Sequence, residues 1–189
     1  PMEDAGIDTG NIAWILTATA LVLMMTLPGL ALFYGGMVRR KNVLSTMMQS
    51  LGATAAVTVL WALVAYSLAF SDGGSLNPFV GGLSRIGLIG ITPETMAGDL
   101  PENLFFIFQL TFAIITVAII AGAAVERIRF SVFMVFASVW LILVYAPICH
   151  WVWGGGFLSD AGVLDFAGGA VVHINAGVAG LVLAKFVGP

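Results

Sequence analysis

Charge is what this chain has least of. Asp, Glu, Lys and Arg make up 9% of its 189 residues, where a soluble domain carries roughly 25%, so it cannot build a water-facing surface. Cysteine occurs once, at Cys149, which excludes an intrachain disulfide and says nothing of redox compartment. Basic residues form a single short cluster, Arg39-Arg40-Lys41, too little for a nucleic-acid surface, so no nucleic-acid partner is expected. Histidine occurs twice, at His150 and His173. Neither has a second ligand at metal spacing, so no metal site and no cofactor are implied. The N-terminal PMEDAGIDTGN is acidic, where a secretory leader is basic, and no cleavable signal peptide is expected.

What the chain has in abundance is apolar surface: 60% hydrophobic residues and a mean hydropathy of +1.05. A membrane-spanning helix needs about 20 mostly apolar residues. Five segments qualify, at about 12–37, 43–70, 103–125, 131–150 and 166–187. The expected class is therefore an all-α polytopic membrane protein with five transmembrane helices, its immediate partner the lipid bilayer. Pro28 in the first segment predicts a kink or local unwinding, and the fourth segment carries Pro147 near its end, leading into the Trp/Gly stretch. A Gly-rich, half-apolar connection at about 71–101 is expected to fold over one face of the bundle.

The basic residues give the orientation, because Lys and Arg accumulate in cytoplasmic loops. With the N-terminus outside, Arg39, Arg40, Lys41, Arg127, Arg129 and Lys185 fall inside. Only Arg85 falls outside, beside Glu3, Asp4, Asp8, Asp72, Glu94, Asp99, Glu102 and Asp160. Five spans then end on the opposite side from where they began. A similar unit following them would be inverted, as in many transporters, although no repeat is visible within the chain itself.

The chemistry concentrates in His150–Gly180, which carries both histidines, Trp151, Trp153, Asp160 and Asp165 among many glycines. Ionisable groups at membrane depth are hypotheses about a solute path. Asp165 stands at the predicted start of the fifth helix, where a carboxylate caps backbone N–H groups and complements the helix dipole; it also supplies negative potential that favours a nearby cation. His173 lies two turns deeper. At 100° per residue it shares a helix half with Gly169, Ala176, Gly177 and Gly180, small residues that admit another helix. It reads either as a core histidine bonded to a carbonyl or as a pore-lining group offering one donor and one acceptor nitrogen. His150 reads as interfacial. Trp151 and Trp153 suit an interfacial belt, but Phe108 and Phe112, four apart on one helix face, make an aromatic vestibule an alternative. Ring faces attract cations by about 2 kcal/mol or more once water is removed. Phe105 and Phe106 are close enough in sequence that spacing does not choose among the rings.

The stretches PGLALFYGGMVRRKN, FQLTFAIITVAIIAGAAVERIRF, HWVWGGG and LDFAGGAVVHINAGVAGL resemble the ammonium transporter (Amt/Rh) family, on its Amt branch, along nearly the whole chain. The resemblance implies one inverted-repeat half of an eleven-helix fold, residues 1–189 being the N-terminal five-helix half, in a cell-membrane protein of nitrogen uptake. It implies a homotrimer, ammonium and ammonia as the solute, and a PII-type regulatory protein as a partner on the cytoplasmic side. By motif, Phe108 and Trp153 would form the outer recruiting site, Phe112 a gate ring, Asp165 the buried acidic support and His173 the outer member of a histidine pair. The chain departs from the pattern by stopping at Pro189, without the partner histidine, the second gate ring or a cytoplasmic tail. It is not expected to form a complete pore alone.

Two other classes stand beside transport. A sensor would use the same membrane fold coupled to a cytoplasmic signalling domain. An intramembrane enzyme using Asp165 and His173 lacks a Ser, Cys or metal constellation to act with them, and no enzyme is expected.

Overall fold

The computed structural model describes residues 8–188; Glu3 and Asp4, placed outside above, lie beyond the described residues. Five apolar helical stretches are long enough to cross a membrane: Thr9–Met37, Arg40–Phe70, Glu102–Ala124, Phe130–Asp160 and Gly169–Val187. The fourth is interrupted near its end, where Gly154–Gly156 separates the helix that closes at Trp153 from a short one over Phe157–Asp160.

Asp8 starts the first span, its Oδ1 accepting from the amides of Gly10 (2.8 Å) and Asn11 (3.1 Å), the usual N-cap arrangement. Pro28 cannot donate to the helix ladder, and the turn around it widens over Met25–Leu30, with Leu27 leaving helical geometry at φ −126°, ψ 104°. In the fourth span Pro147 has the same effect on the turn before it, which widens over Leu141–Tyr145. The break in the first span falls where Pro28 predicts it.

The third span is the axis of the bundle. Tyr34 of the first span donates to the Ile119 carbonyl at 3.0 Å. Its ring lies so close to Gly122 that a Cβ there would sit 2.5 Å from it. From the second span, Trp61 is fully buried and donates to the Phe106 carbonyl at 3.2 Å. Trp61 also meets Tyr66, Phe70 and Tyr145 edge-on, with centroids 5.8–6.2 Å apart. On the far side, Gly180 of the fifth span brings that helix against Ala123.

The 71–101 connection covers one end of the bundle. Ser67 donates to the Gly82 carbonyl at 2.9 Å and accepts from the Arg85 amide at 3.0 Å. A two-residue hairpin, β1 Met96–Ala97 antiparallel to β2 Leu100–Pro101, leads into the third span. The opposite end carries Arg39, Arg40, Lys41, Arg127, Arg129 and Lys185. There Glu126, held in left-handed geometry at φ 64°, accepts from Asn42 Nδ2 (2.6 Å) and the Arg39 amide (3.0 Å). The Asn42 bond first, then the Arg39 amide, hold its carboxyl below the usual glutamate range.

Candidate functional site

Phe108 and Phe112 stand one turn apart on the third span and meet edge to face, centroids 4.9 Å apart at 87°. Phe112 in turn meets Trp153 at 5.7 Å and 71°. Trp153 comes from the last turn of the fourth span, and its indole N–H donates to the Asp165 carbonyl at 2.8 Å. Phe108 and Phe112 thus form one stack with Trp153, 41 to 45 positions further along the sequence, anchored to the segment that begins the fifth span. Each ring is half-buried, with area left for a solute.

The other aromatics divide away from this stack. Phe105 packs on Phe70 (4.9 Å) and Phe106 on Tyr66 (5.1 Å), joining the core around Trp61. Trp151 turns to the opposite side, donating to the Phe79 carbonyl at 2.6 Å and packing on Phe157. Spacing left these rings open; the structure separates them.

Asp165 does not begin the fifth helix, contrary to the sequence expectation. Gly168 adopts left-handed geometry at φ 79°, and the helix starts at Gly169 with a widened first turn through Ile174. The carboxylate reaches forward across this break. Oδ1 accepts from the Gly169 amide (2.7 Å) and Oδ2 from Ala170 (2.8 Å) and Val171 (3.0 Å). Partial burial pushes this carboxyl upward. The amides of Val171, Ala170, Gly169 and Gly168 outweigh it, so Asp165 titrates below the ordinary aspartate range. The capping role is built into the geometry, and Trp153 is tied to the backbone carbonyl of the same residue.

His173 is exposed, together with Gly169 and Gly177, whereas Ala176 and Gly180 are buried against the third span. The single small-residue face expected from a 100° wheel is therefore split, because the widened first turn rotates the later residues out of that register. Within this chain the fully buried histidine is His150, which the sequence placed at the interface. His150 is fully buried, with Nδ1 2.8 Å from the Ala69 carbonyl and Nε2 2.6 Å from the Asn77 carbonyl.

A second element escaped the sequence reading. Glu102, 5% exposed at the start of the third span, pairs with Arg85 at 3.0 Å and accepts from Tyr66 at 3.2 Å. These residues, with Phe70, Phe105 and Trp153, line a recess of about 470 Å³. Its only sequence signal was a lone basic residue in an otherwise acidic connection. Among the described residues, no three His, Cys, Asp or Glu side chains converge as metal ligands.

Fold and site together define a polytopic α-helical membrane protein whose aromatic stack stands over the capped start of a histidine-bearing helix. The chain belongs to the ammonium transporter family, whose model matches residues 13–189. The ammonium transporter of Aquifex aeolicus is 52% identical over 189 residues, covering 98% of this chain and 44% of that protein. Among solved structures, Candida albicans Mep2 superposes with a TM-score of 0.86 at 40% identity, over 96% of this chain and 40% of its own. A sensor Amt protein superposes with a TM-score of 0.88 at 26% identity, over 100% of this chain and 46% of its own. The chain thus spans less than half the length of the relatives it matches. The family is one of transporters, not enzymes.

Proposed function

We propose that this chain supplies the N-terminal half of a membrane protein that moves ammonium. The observation that supports it best is the continuous path Phe108–Phe112–Trp153–Asp165, ending at the helix that carries His173. Phe108 and Trp153 offer ring faces to a cation arriving from water, and the Asp165 charge below them adds favourable potential. Phe112 closes the way beneath as a gate. Potassium and ammonium have one charge each and similar size, but only ammonium donates hydrogen bonds and can lose a proton. A dry passage lined by apolar side chains is expensive for any ion that keeps its charge. Ammonia passes it as a neutral molecule, with the His173 nitrogens offering a donor and an acceptor.

His173 stands on an uncovered face, and in this reading the family's second half packs there and closes the passage. The N-terminus lies outside and the basic end inside, in accord with the positive-inside rule. A homotrimer and a PII-type partner on the basic face complete the reading. The sensor alternative shares the same membrane fold. The far higher identity to a named transporter favours transport.

The test is methylammonium uptake by cells without ammonium transporters of their own, expressing a complete protein that carries this chain. His173→Ala should lower uptake at normal assembly, and wild-type rates would remove His173 from the path. Trp153→Leu should weaken selection for ammonium over K⁺, and unchanged ion competition would exclude an aromatic recruiting site.

A further inference from the structure

His150 is fully enclosed, yet it lies only three residues before Trp153. Both its ring nitrogens face backbone carbonyls, Ala69 at the end of the second span (2.8 Å) and Asn77 in the long connection (2.6 Å). A neutral imidazole has one N–H and one lone pair. One nitrogen therefore donates to its carbonyl while the other is held against the second carbonyl, so the ring is clasped from both sides.

The ring is the innermost member of a seam. The Pro78 carbonyl accepts from the Phe157 amide (3.0 Å), the Phe79 carbonyl from Trp151 Nε1 (2.6 Å), and the Gly155 carbonyl from Asn77 Nδ2 (3.2 Å). Gly154 is wedged beside the imidazole, where any Cβ would collide with the Ala69 carbonyl. This seam joins the ends of the second and fourth spans, and Trp153 leaves the helix within it.

We propose that His150 is a positioning residue for the aromatic recruiting site: held between the Ala69 and Asn77 carbonyls, its ring locks residues 77–79 and the end of the second span against the turn that presents Trp153. The proposal rests on the reading of Phe108, Phe112 and Trp153 given above. His150→Phe removes both ring nitrogens while keeping a ring of similar size. His150→Asn and His150→Gln each keep an amide near one of the two nitrogen positions.

In methylammonium uptake, His150→Phe should raise the half-saturating concentration about 5-fold, the order expected when one cation–ring contact is misplaced. The maximal rate per assembled protein should change little. The Asn and Gln variants should fall between Phe and wild type. An unchanged half-saturating concentration, or a loss seen only in the amount of assembled protein, overturns the proposal. Where His150→Phe fails to assemble, His150→Asn and His150→Gln carry the test. A half-saturating concentration equal to wild type in both overturns the proposal. Absence of uptake by the wild type removes the reading of the site itself, and this inference with it, before any variant is compared.

Discussion

The third and fifth spans lie against each other, yet they are finished differently. In the third, 67% of the most apolar stretch is buried; in the fifth, 28%. The third is largely enclosed by its neighbours, with Ile107 open and Phe108 and Phe112 half-buried. The fifth buries Val171, Val172, Ala176 and Gly180 against it and leaves His173, Ile174, Val178 and Leu181 open. Packing and chemistry therefore sit on opposite faces of one helix. The face that holds the fold together is covered by the third span, and the face that carries the imidazole is the uncovered one.

The largest effect should come from the enclosed side. Trp61→Ala empties a fully buried site and leaves the Phe106 carbonyl without its donor. Truncations of this kind cost roughly 3–5 kcal/mol. Leu181→Ala, on the open face at 72% exposure, should stay within about 0.5 kcal/mol. Thermal unfolding in detergent, followed by circular dichroism, separates the two. Equal losses would erase the distinction between a finished and an open face.

A smaller effect belongs to the junction between the faces. Asp165→Ala leaves the amides of Gly169, Ala170 and Val171 without their carboxylate. Losing a cap costs about 0.5–2 kcal/mol, and Trp153 should shift with the loosened segment, because it donates to the backbone of the same residue. The expected result is a lowered melting temperature together with a changed tryptophan emission. A lowered melting temperature with Trp153 undisturbed would uncouple the cap from the aromatic stack.

The five apolar runs, the Pro28 kink and the Phe108–Phe112 pair were legible because each rests on local pattern: length, a missing N–H, a spacing of four. Three features were not. The start of the fifth helix moved from Asp165 to Gly169 because a left-handed Gly168 can end a turn that composition alone reads as helix. The face of His173 split because one widened turn changes the angle of every residue after it. The burial of His150 depends on carbonyls 73 and 81 positions away, and the Arg85–Glu102 pair joins a loop to a helix start. Contacts of that range have no periodic signature. They are fixed by how the 71–101 connection docks, and hydropathy records only that the connection is half apolar.

The finest distinction between the two faces is a matter of protons. Asp165 is bonded to the fifth helix in the folded protein and free of it in the unfolded chain, so its folded pKa is the lower of the two. The stabilisation it gives is complete above the unfolded value of about 3.9. It falls away as pH drops through the lowered folded value, because the unfolded state takes up the proton first. Stability should therefore be insensitive to this group from neutral pH to about 5 and decline below about 4. Glu126, lowered by Asn42 and the Arg39 amide at the basic end, adds a slope of the same sign, so the wild-type curve alone does not assign it. Asp165→Asn removes one contribution and Glu126→Gln the other. The difference between each variant and wild type, measured by denaturant unfolding from pH 7 to pH 3, isolates the junction from the basic end. An acid slope that survives in Asp165→Asn but vanishes in Glu126→Gln would place the proton-sensitive contact at the basic end, away from the helix that carries His173.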